Sequence, residues 1–308
     1  DLASSSLANG NDILFTSADG TTKLDHEIEN FTVSNGKLIA WVRVPSLSSS
    51  TDTVLYLYFN NSAASSQQNA AGVWNSNFKG VWHLKESASG VAGEYKDSTS
   101  NANNGQGSSG AVPVQTGSGL IGYAQDYNGT PYISVPNAAS LQPTSAISLS
   151  GWIYLRTFGS GTDIDPIIRK GDSNPNNYQL GVDSGAGVPQ IHMMLDENDN
   201  AGLAGTTTIL PNTWYFIAGT WDGTTRQVYL NGNQDNSGSR TGTIGTDTRA
   251  LYLGGRIGLT DSINGILDEV RISNINRSAS WITTEYNNQN SPSTFYSLGV
   301  SESPIGAH

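Results

Sequence analysis

Asp268 lies in the run Gly265–Ser273, whose alternation decides what its carboxylate meets. In an extended strand successive side chains point to opposite faces, so Ile266, Asp268, Val270 and Ile272 share one face, and Leu267, Glu269 and Arg271 the other. The mostly aliphatic first face is expected to point to the core and to carry Asp268 with it. A buried carboxylate then needs a cation or hydrogen-bond donors. Residues 97–105 could complete a hard-ion shell through Asp97, Ser98, Asn101, Asn104 and loop carbonyls, because Ca²⁺ takes about 6–8 oxygens and accepts irregular loops. The expected calcium ligands are Asp97, Asn101, Asn104 and Asp268. On that reading chelation lowers the melting temperature by many degrees and Asp268→Asn mimics the loss. The alternative is that Asp268 caps backbone amides and residues 97–105 form an ordinary Asn-rich turn. Asp196–Asn200 is a second oxygen-rich loop, for which a solvated hairpin turn is the simpler reading.

Other residue types suit the recognition of sugars, which needs flat apolar surfaces together with planar amides, carboxylates and Arg for hydroxyls. The candidate ligand-binding residues are Arg169, Tyr178, Gln179, His192, Asp196 and Asn198. In Gln190–Leu195, Ile191, Met193 and Leu195 read as core, leaving His192 and Asp196 on the opposite face with Met194. Tyr178 could equally be core. Reactive constellations are scarce. Asp25, Glu27 and Glu29 alternate and could line one strand face, but a surface or structural role is the plainer reading. Of four histidines, His308 is in the tail, His26 sits among carboxylates and His83 lies between Trp82 and Leu84. No Gly-x-Ser-x-Gly, His-Glu-x-x-His or Gly-x-x-x-x-Gly-Lys motif occurs.

The elements that must position these residues are short strands. Residues 38–44, 54–59, 80–84, 132–135, 147–155, 167–170, 178–182, 190–195, 214–221, 227–230, 250–254 and 265–273 read as strands. The 54–59 run is apolar on both faces and so is expected to be covered on both. Asp222-Gly223 and Asn231-Gly232 bracket 227–230 as hairpin turns. One helix is expected from Ser278, as N-cap, through Asn287. Many short strands without helical crossovers imply an all-β sandwich or jelly roll.

Composition agrees. The 308 residues include 35 Gly, seven Trp, 13 Tyr and seven Phe, and only 13% are charged, which fits an antiparallel β protein working outside the cell. With 15 Lys+Arg against 26 Asp+Glu the net charge is −11, so nucleic acid and anionic lipid are poor partners. There are no cysteines, which excludes disulfides, thiolate metal sites and a thiol nucleophile. No apolar run approaches the ~20 residues of a membrane span. Without a leader at Asp1, the chain reads as a mature or excised fragment.

Two regions resemble known families. Residues 11–59, with Asp12-Ile13-Leu14-Phe15-Thr16, His26-Glu27-Ile28-Glu29, Trp41-Val42-Arg43-Val44-Pro45 and Leu57-Tyr58-Phe59, resemble the bacterial domain of unknown function 2341. Residues 80–300 resemble the laminin-G, pentraxin-like branch of the concanavalin A-like jelly rolls. The carrying pieces are Val81-Trp82-His83-Leu84, Asp97 through Gly105, Tyr132-Ile133-Ser134-Val135-Pro136, Ser150-Gly151-Trp152-Ile153, Trp221-Asp222-Gly223, Val228-Tyr229-Leu230-Asn231-Gly232 and Leu267-Asp268-Glu269-Val270-Arg271-Ile272.

The resemblance implies a truncated N-terminal β domain at 1–78, a concanavalin A-like antiparallel jelly roll at 79–300 and a linker at 301–308. In such domains the matching positions often hold a structural Ca²⁺. Glucanases of that broad fold carry Glu-x-Asp-x-(x)-Glu; Glu197-Asn198-Asp199 begins the pattern, but no Glu follows. The expected function is therefore a non-catalytic, extracellular, carbohydrate-binding module of a bacterial protein, a monomeric part of a larger chain whose partner is a polysaccharide or glycan. A protein-interaction or structural module of a large adhesin is the alternative, and a polysaccharide-active enzyme the third class.

Overall fold

The computed structural model describes residues 2–159, 164–171, 177–185, 187–195, 202–256 and 262–302. Two compact units emerge: residues 1–73 with 287–308, and residues 74–286. The boundary falls at Trp74 rather than near residue 79 because Trp74 packs edge-on to Phe78, with ring centroids 5.2 Å apart, and lies under the Arg271 guanidinium. Residues 287–300, expected in the second domain, group with the first unit.

The larger unit is an all-antiparallel sandwich. One sheet has seven strands in the order Leu203–Ala204, Gln190–Leu195, Tyr178–Asp183, Ile164–Lys170, Leu251–Leu253, Ile133–Val135, Gln106–Gly107. The other runs Asn233–Ser239, Thr225–Leu230, Trp214–Trp221, Ile147–Thr157, Asn264–Ser273, Ala124–Asn128, Val114–Thr116, with Phe78–Trp82 also paired to Asn264–Ser273. Between them lies one core to which alternate residues contribute, among them Leu149, Ile153, Ile168, Leu180, Met193, Ile217, Val228, Leu253 and Leu267. The Asn231-Gly232 turn forms as expected: both residues have positive φ, and Leu230 pairs with Asn233 across it.

The outer face of the second sheet is covered by the helix Ala279–Asn290. Trp152, Phe216, Ala218 and Tyr229 form a second cluster there with Ile282, and Trp152 stacks on Tyr286 at 5.6 Å. Ser278 is the N-cap, its Oγ accepting from Trp281 N at 3.2 Å.

A bulge in Asn264–Ser273 resets the expected alternation. Ser150 pairs with Arg271 and Trp152 with Asp268, so Glu269 and Val270 together oppose Gly151, and Glu269 has φ +53°. Leu267 and Val270 consequently both face the core. Asp268 stays fully buried but shares the outer, helix-covered face with Trp152, not the inter-sheet core.

The smaller unit holds a three-stranded sheet, Lys23–Leu24, Leu14–Ser17, Leu55–Tyr58, and the hairpin His26–Thr32/Lys37–Val42. Ile13, Thr16, Leu24 and His26 are buried in it, and the Asp12 carboxylate accepts from Leu7 N and Asn60 N. Tyr56 and Tyr58 are exposed, so the Leu55–Tyr58 strand is covered on one face only, contrary to expectation. Among the described residues no helix is long and apolar enough to cross a membrane.

Candidate functional site

Directly opposed residues of antiparallel strands share a face. On the seven-stranded sheet the register therefore lines up an unbroken outward row: Met194 opposite Gln179, Gln179 opposite Arg169, Arg169 opposite Tyr252, Tyr252 opposite Ser134 and Ser134 opposite Gln106. The rows on either side are inward and apolar, for example Met193, Leu180, Ile168, Leu253, Ile133. The row thus sets two amides, a guanidinium, a hydroxyl and an aromatic ring on one line across five neighbouring strands.

Of the residues expected to bind ligand, Arg169 and Gln179 are brought together in this row. An Arg169 Nη1 donates to Gln179 Oε1, and Arg169 Nε donates to Gly171 O at 3.2 Å. Both side chains are nearly covered, at 5% and 1% exposure. His192 lies on the same face, opposite Gly181, with Gly202 so close that a Cβ there would lie 2.2 Å from the ring. Tyr178 is a correction. It alternates into the core, fully buried, and its hydroxyl donates to Leu141 O at 3.0 Å, so it presents nothing to a ligand. Asp196 and Asn198 lie outside the described residues.

Three positions that the sequence reading passed over, Tyr252, Ser134 and Gln106, complete the row. Their signal was period-two alternation: Tyr252 between Leu251 and Leu253, and Ser134 between Ile133 and Val135. Lys170 was also missed. It alternates inward beside Tyr178 and Leu251, and its Nζ reaches Asp247 Oδ1 at 3.2 Å and Arg249 O. Burial lowers its pKa from the ordinary lysine value, against the pull of Asp247.

The expected calcium ligands do not form a cage. Asp97 Oδ1 accepts from Val81 N at 3.0 Å and Thr99 N at 2.9 Å; its Oδ2 accepts from Thr99 Oγ1 at 2.9 Å and Asn103 N at 2.8 Å. Burial pushes the Asp97 carboxyl above its usual range, and these bonds oppose the rise. Asn104 Oδ1 accepts from Asp97 N, while Asn101 Nδ2 donates to Phe78 O and Thr99 Oγ1. Asp268 engages another segment, its Oδ2 accepting from Ile121 N at 2.9 Å. The carboxylates at 97 and 268 thus serve different loops as acceptors of backbone N–H groups. Asp97, Asn101, Asn104 and Asp268 in this arrangement do not fit a calcium centre.

The remaining candidates for chemistry are buried in structural pairings. His83 Nδ1 lies 2.7 Å from Glu269 Oε1; Arg271 donates to Glu269 Oε2 at 2.8 Å and to Glu285 Oε1 at 2.7 Å. Burial raises the Glu269 carboxyl, but His83 and Arg271 hold it below its usual value. In the smaller unit a register shift between Ile28 and Asn30 breaks the Asp25, Glu27, Glu29 alternation. Glu27 and Glu29 are buried, Glu29 Oε2 accepts from Trp41 Nε1 at 2.7 Å, and Asp25 Oδ1 accepts from Asn69 Nδ2.

Residues 127–283 match the family model of the concanavalin A-like lectin/glucanases superfamily, and residues 9–85 match the domain of unknown function DUF2341. Among solved structures, domain 4 of AbnA, an extracellular arabinanase from Geobacillus stearothermophilus, in complex with arabinotriose, is similar at 20% identity and TM-score 0.53, over 67% of this chain and 97% of that one. The binding domain of the Paraclostridial Mosquitocidal Protein 1 is similar at 16% identity and TM-score 0.54, over 69% of this chain and 52% of that one. A Trypanosoma rangeli sialidase in complex with 2,3-difluorosialic acid is similar at 14% identity and TM-score 0.52, over 75% of this chain and 35% of that one. The chain thus spans about half and about a third of the last two. No curated protein matches it. At these identities the likeness is one of fold. With a family match spanning half of its length, preceded by a DUF2341 domain, the chain belongs to the concanavalin A-like lectin/glucanase superfamily.

Proposed function

We propose that this chain is a non-catalytic, extracellular carbohydrate-binding module of a bacterial protein, and that its ligand is a polysaccharide or glycan lying along the outer face of the seven-stranded sheet. The observation that carries this reading is the register row Gln179–Arg169–Tyr252–Ser134–Gln106, in which the Gln106 amide is exposed and Ser134 half-buried beside an aromatic ring, while Gln179 and Arg169 are held together and nearly covered. The arabinotriose complex of a domain of the same fold supports it. The non-catalytic part is supported by where the candidate acids and bases lie: His83 and Glu269 are buried against each other, and Glu29 is bonded to Trp41.

A glycan array and a reducing-sugar assay on the same preparation test both halves. Binding without release of sugar is the expected result, and cleavage of any bound polymer overturns it. The interaction-module alternative draws on one observation, the exposed Tyr56 and Tyr58 of the smaller unit, ring centroids 6.4 Å apart. It gains if the array is silent.

A further inference from the structure

At the Gln106 end of the row the surface opens into a pocket of about 180 Å³, lined by Gln106, Ser108, Ser109, Tyr132, Ser134 and Tyr252. A recess of this size suits one sugar ring better than a run of them. Tyr132 and Tyr252 meet edge to face, centroids 5.5 Å apart and planes at 78°, so their rings make a corner, one a floor and the other a wall. Ser108 is spent on the backbone: its Oγ accepts from Tyr132 N at 3.2 Å and donates to Ala111 O.

Four other polar atoms of the lining are available, on Gln106, Ser109, Tyr132 and Ser134. Gln106 Nε2 donates to Gly90 O at 2.7 Å, which fixes the amide and leaves Oε1 as an acceptor. Among the described residues, no hydrogen bond engages the hydroxyls of Ser109, Tyr132 or Ser134. Three hydroxyls and an amide oxygen around a two-ring aromatic corner match the C–H faces and hydroxyls of a sugar. No lining side chain is charged at neutral pH. The nearest cation in the row, Arg169, is held by Gln179 and Gly171.

We infer that this pocket is a subsite for a single uncharged sugar residue, at a chain end or branch, seated on the Tyr132–Tyr252 corner and hydrogen-bonded by Gln106, Ser109 and Ser134. This rests on the carbohydrate-binding reading and narrows it to neutral residues taken singly.

The test is calorimetry of the full chain with maltotriose, cellotriose, xylotriose, arabinotriose and a sialylated trisaccharide, repeated with Ser134→Tyr and Tyr132→Ala. Ser134→Tyr keeps a strand-favouring residue and fills the pocket; Tyr132→Ala removes half of the corner, and circular dichroism checks that both variants fold. The expected result is that at least one neutral trisaccharide binds, the sialylated one does not, and both variants weaken binding by about tenfold or more. Neutral binding that both variants leave unchanged overturns the pocket and spares the sheet-face reading, which Arg169→Met and Gln179→Ala then address. Tighter binding of the sialylated ligand overturns the uncharged specificity. If the wild type binds none of the five, nor any glycan on the array, the carbohydrate reading itself fails and the pocket with it.

Discussion

His26 is fully buried in the smaller unit, edge-on to Phe15 with ring centroids 5.2 Å apart. Burial pulls its pKa below the ordinary 6.5, against smaller raising contributions from the backbone at Leu24 and Ile13. The folded form therefore keeps a neutral ring where the unfolded chain binds a proton. The sign follows: the stability of this unit is complete above pH 6.5 and declines as the pH falls below it, by up to about 1.4 kcal/mol per pH unit. Urea titrations at pH 7, 6 and 5, read on the Trp41 indole N–H by NMR, should show that decline and should lose it in His26→Leu. An equal slope in the variant would assign the effect elsewhere. Asp97 gives a second residue-scale prediction. With four donors on its carboxylate, Asp97→Ala strands buried N–H groups and should cost about 3 kcal/mol. The wild-type melting temperature should be the same in EDTA as in buffer; a fall of many degrees would restore a metal at this loop. The composition of residues 97–105 announced an oxygen-rich turn. What it could not announce was whether those oxygens receive a cation or the backbone, because that depends on which N–H groups the turn folds around.

At the scale of elements, Arg271 joins a strand to a helix. Its guanidinium bridges Glu269, two residues away on the same strand, and Glu285 on the covering helix, and it lies over the Trp74 ring at 5.0 Å. Removing one member of such a buried set leaves charge uncompensated, so Arg271→Met should destabilise the sandwich by about 3–5 kcal/mol in a denaturant titration. Adding Glu269→Gln should recover part of that loss; a double variant that sums the two single costs would show that the groups do not act together. Strand positions were legible in the sequence to within a few residues, as in 190–195 and 214–221, because apolar alternation marks them. Facing was less so. Of the residues expected to face the core in Gly265–Ser273, Val270 and Ile272 do and Ile266 and Asp268 do not, since a bulge adds a residue that no periodicity displays. Polar strands such as Asn233–Ser239 escaped notice because they have no apolar face to alternate. Tyr252, Ser134 and Gln106 escaped for another reason: each is a lone residue in its strand, and only cross-strand register makes them a row.

Over the whole molecule a net charge of −11 surrounds a pocket with an uncharged lining. Binding of a neutral glycan there gains nothing from long-range attraction, so its affinity should change less than about twofold between 50 and 500 mM salt, where the Debye length falls from roughly 14 Å to 4 Å. A steep dependence on salt would point to an anionic polymer bound by Arg or Lys. The assignment of all-β architecture from composition survives at this scale, because low charge, abundant glycine and dispersed aromatics describe a sandwich however its strands are ordered. The division of the chain does not follow from composition: residues after Tyr286 return to the first unit, a long-range pairing without a local signature.

The extra residue at position 269 lets two runs of opposite parity share one strand. Delete Glu269 and Leu267, Asp268, Val270, Arg271 and Ile272 keep the sides they already take, because a strand without the bulge alternates in that order. What such a deletion removes is the carboxylate between His83 and Arg271. A single-codon loss here should therefore weaken the sandwich as the loss of a buried charge partner does, by about 3–5 kcal/mol, and leave its strand order unchanged.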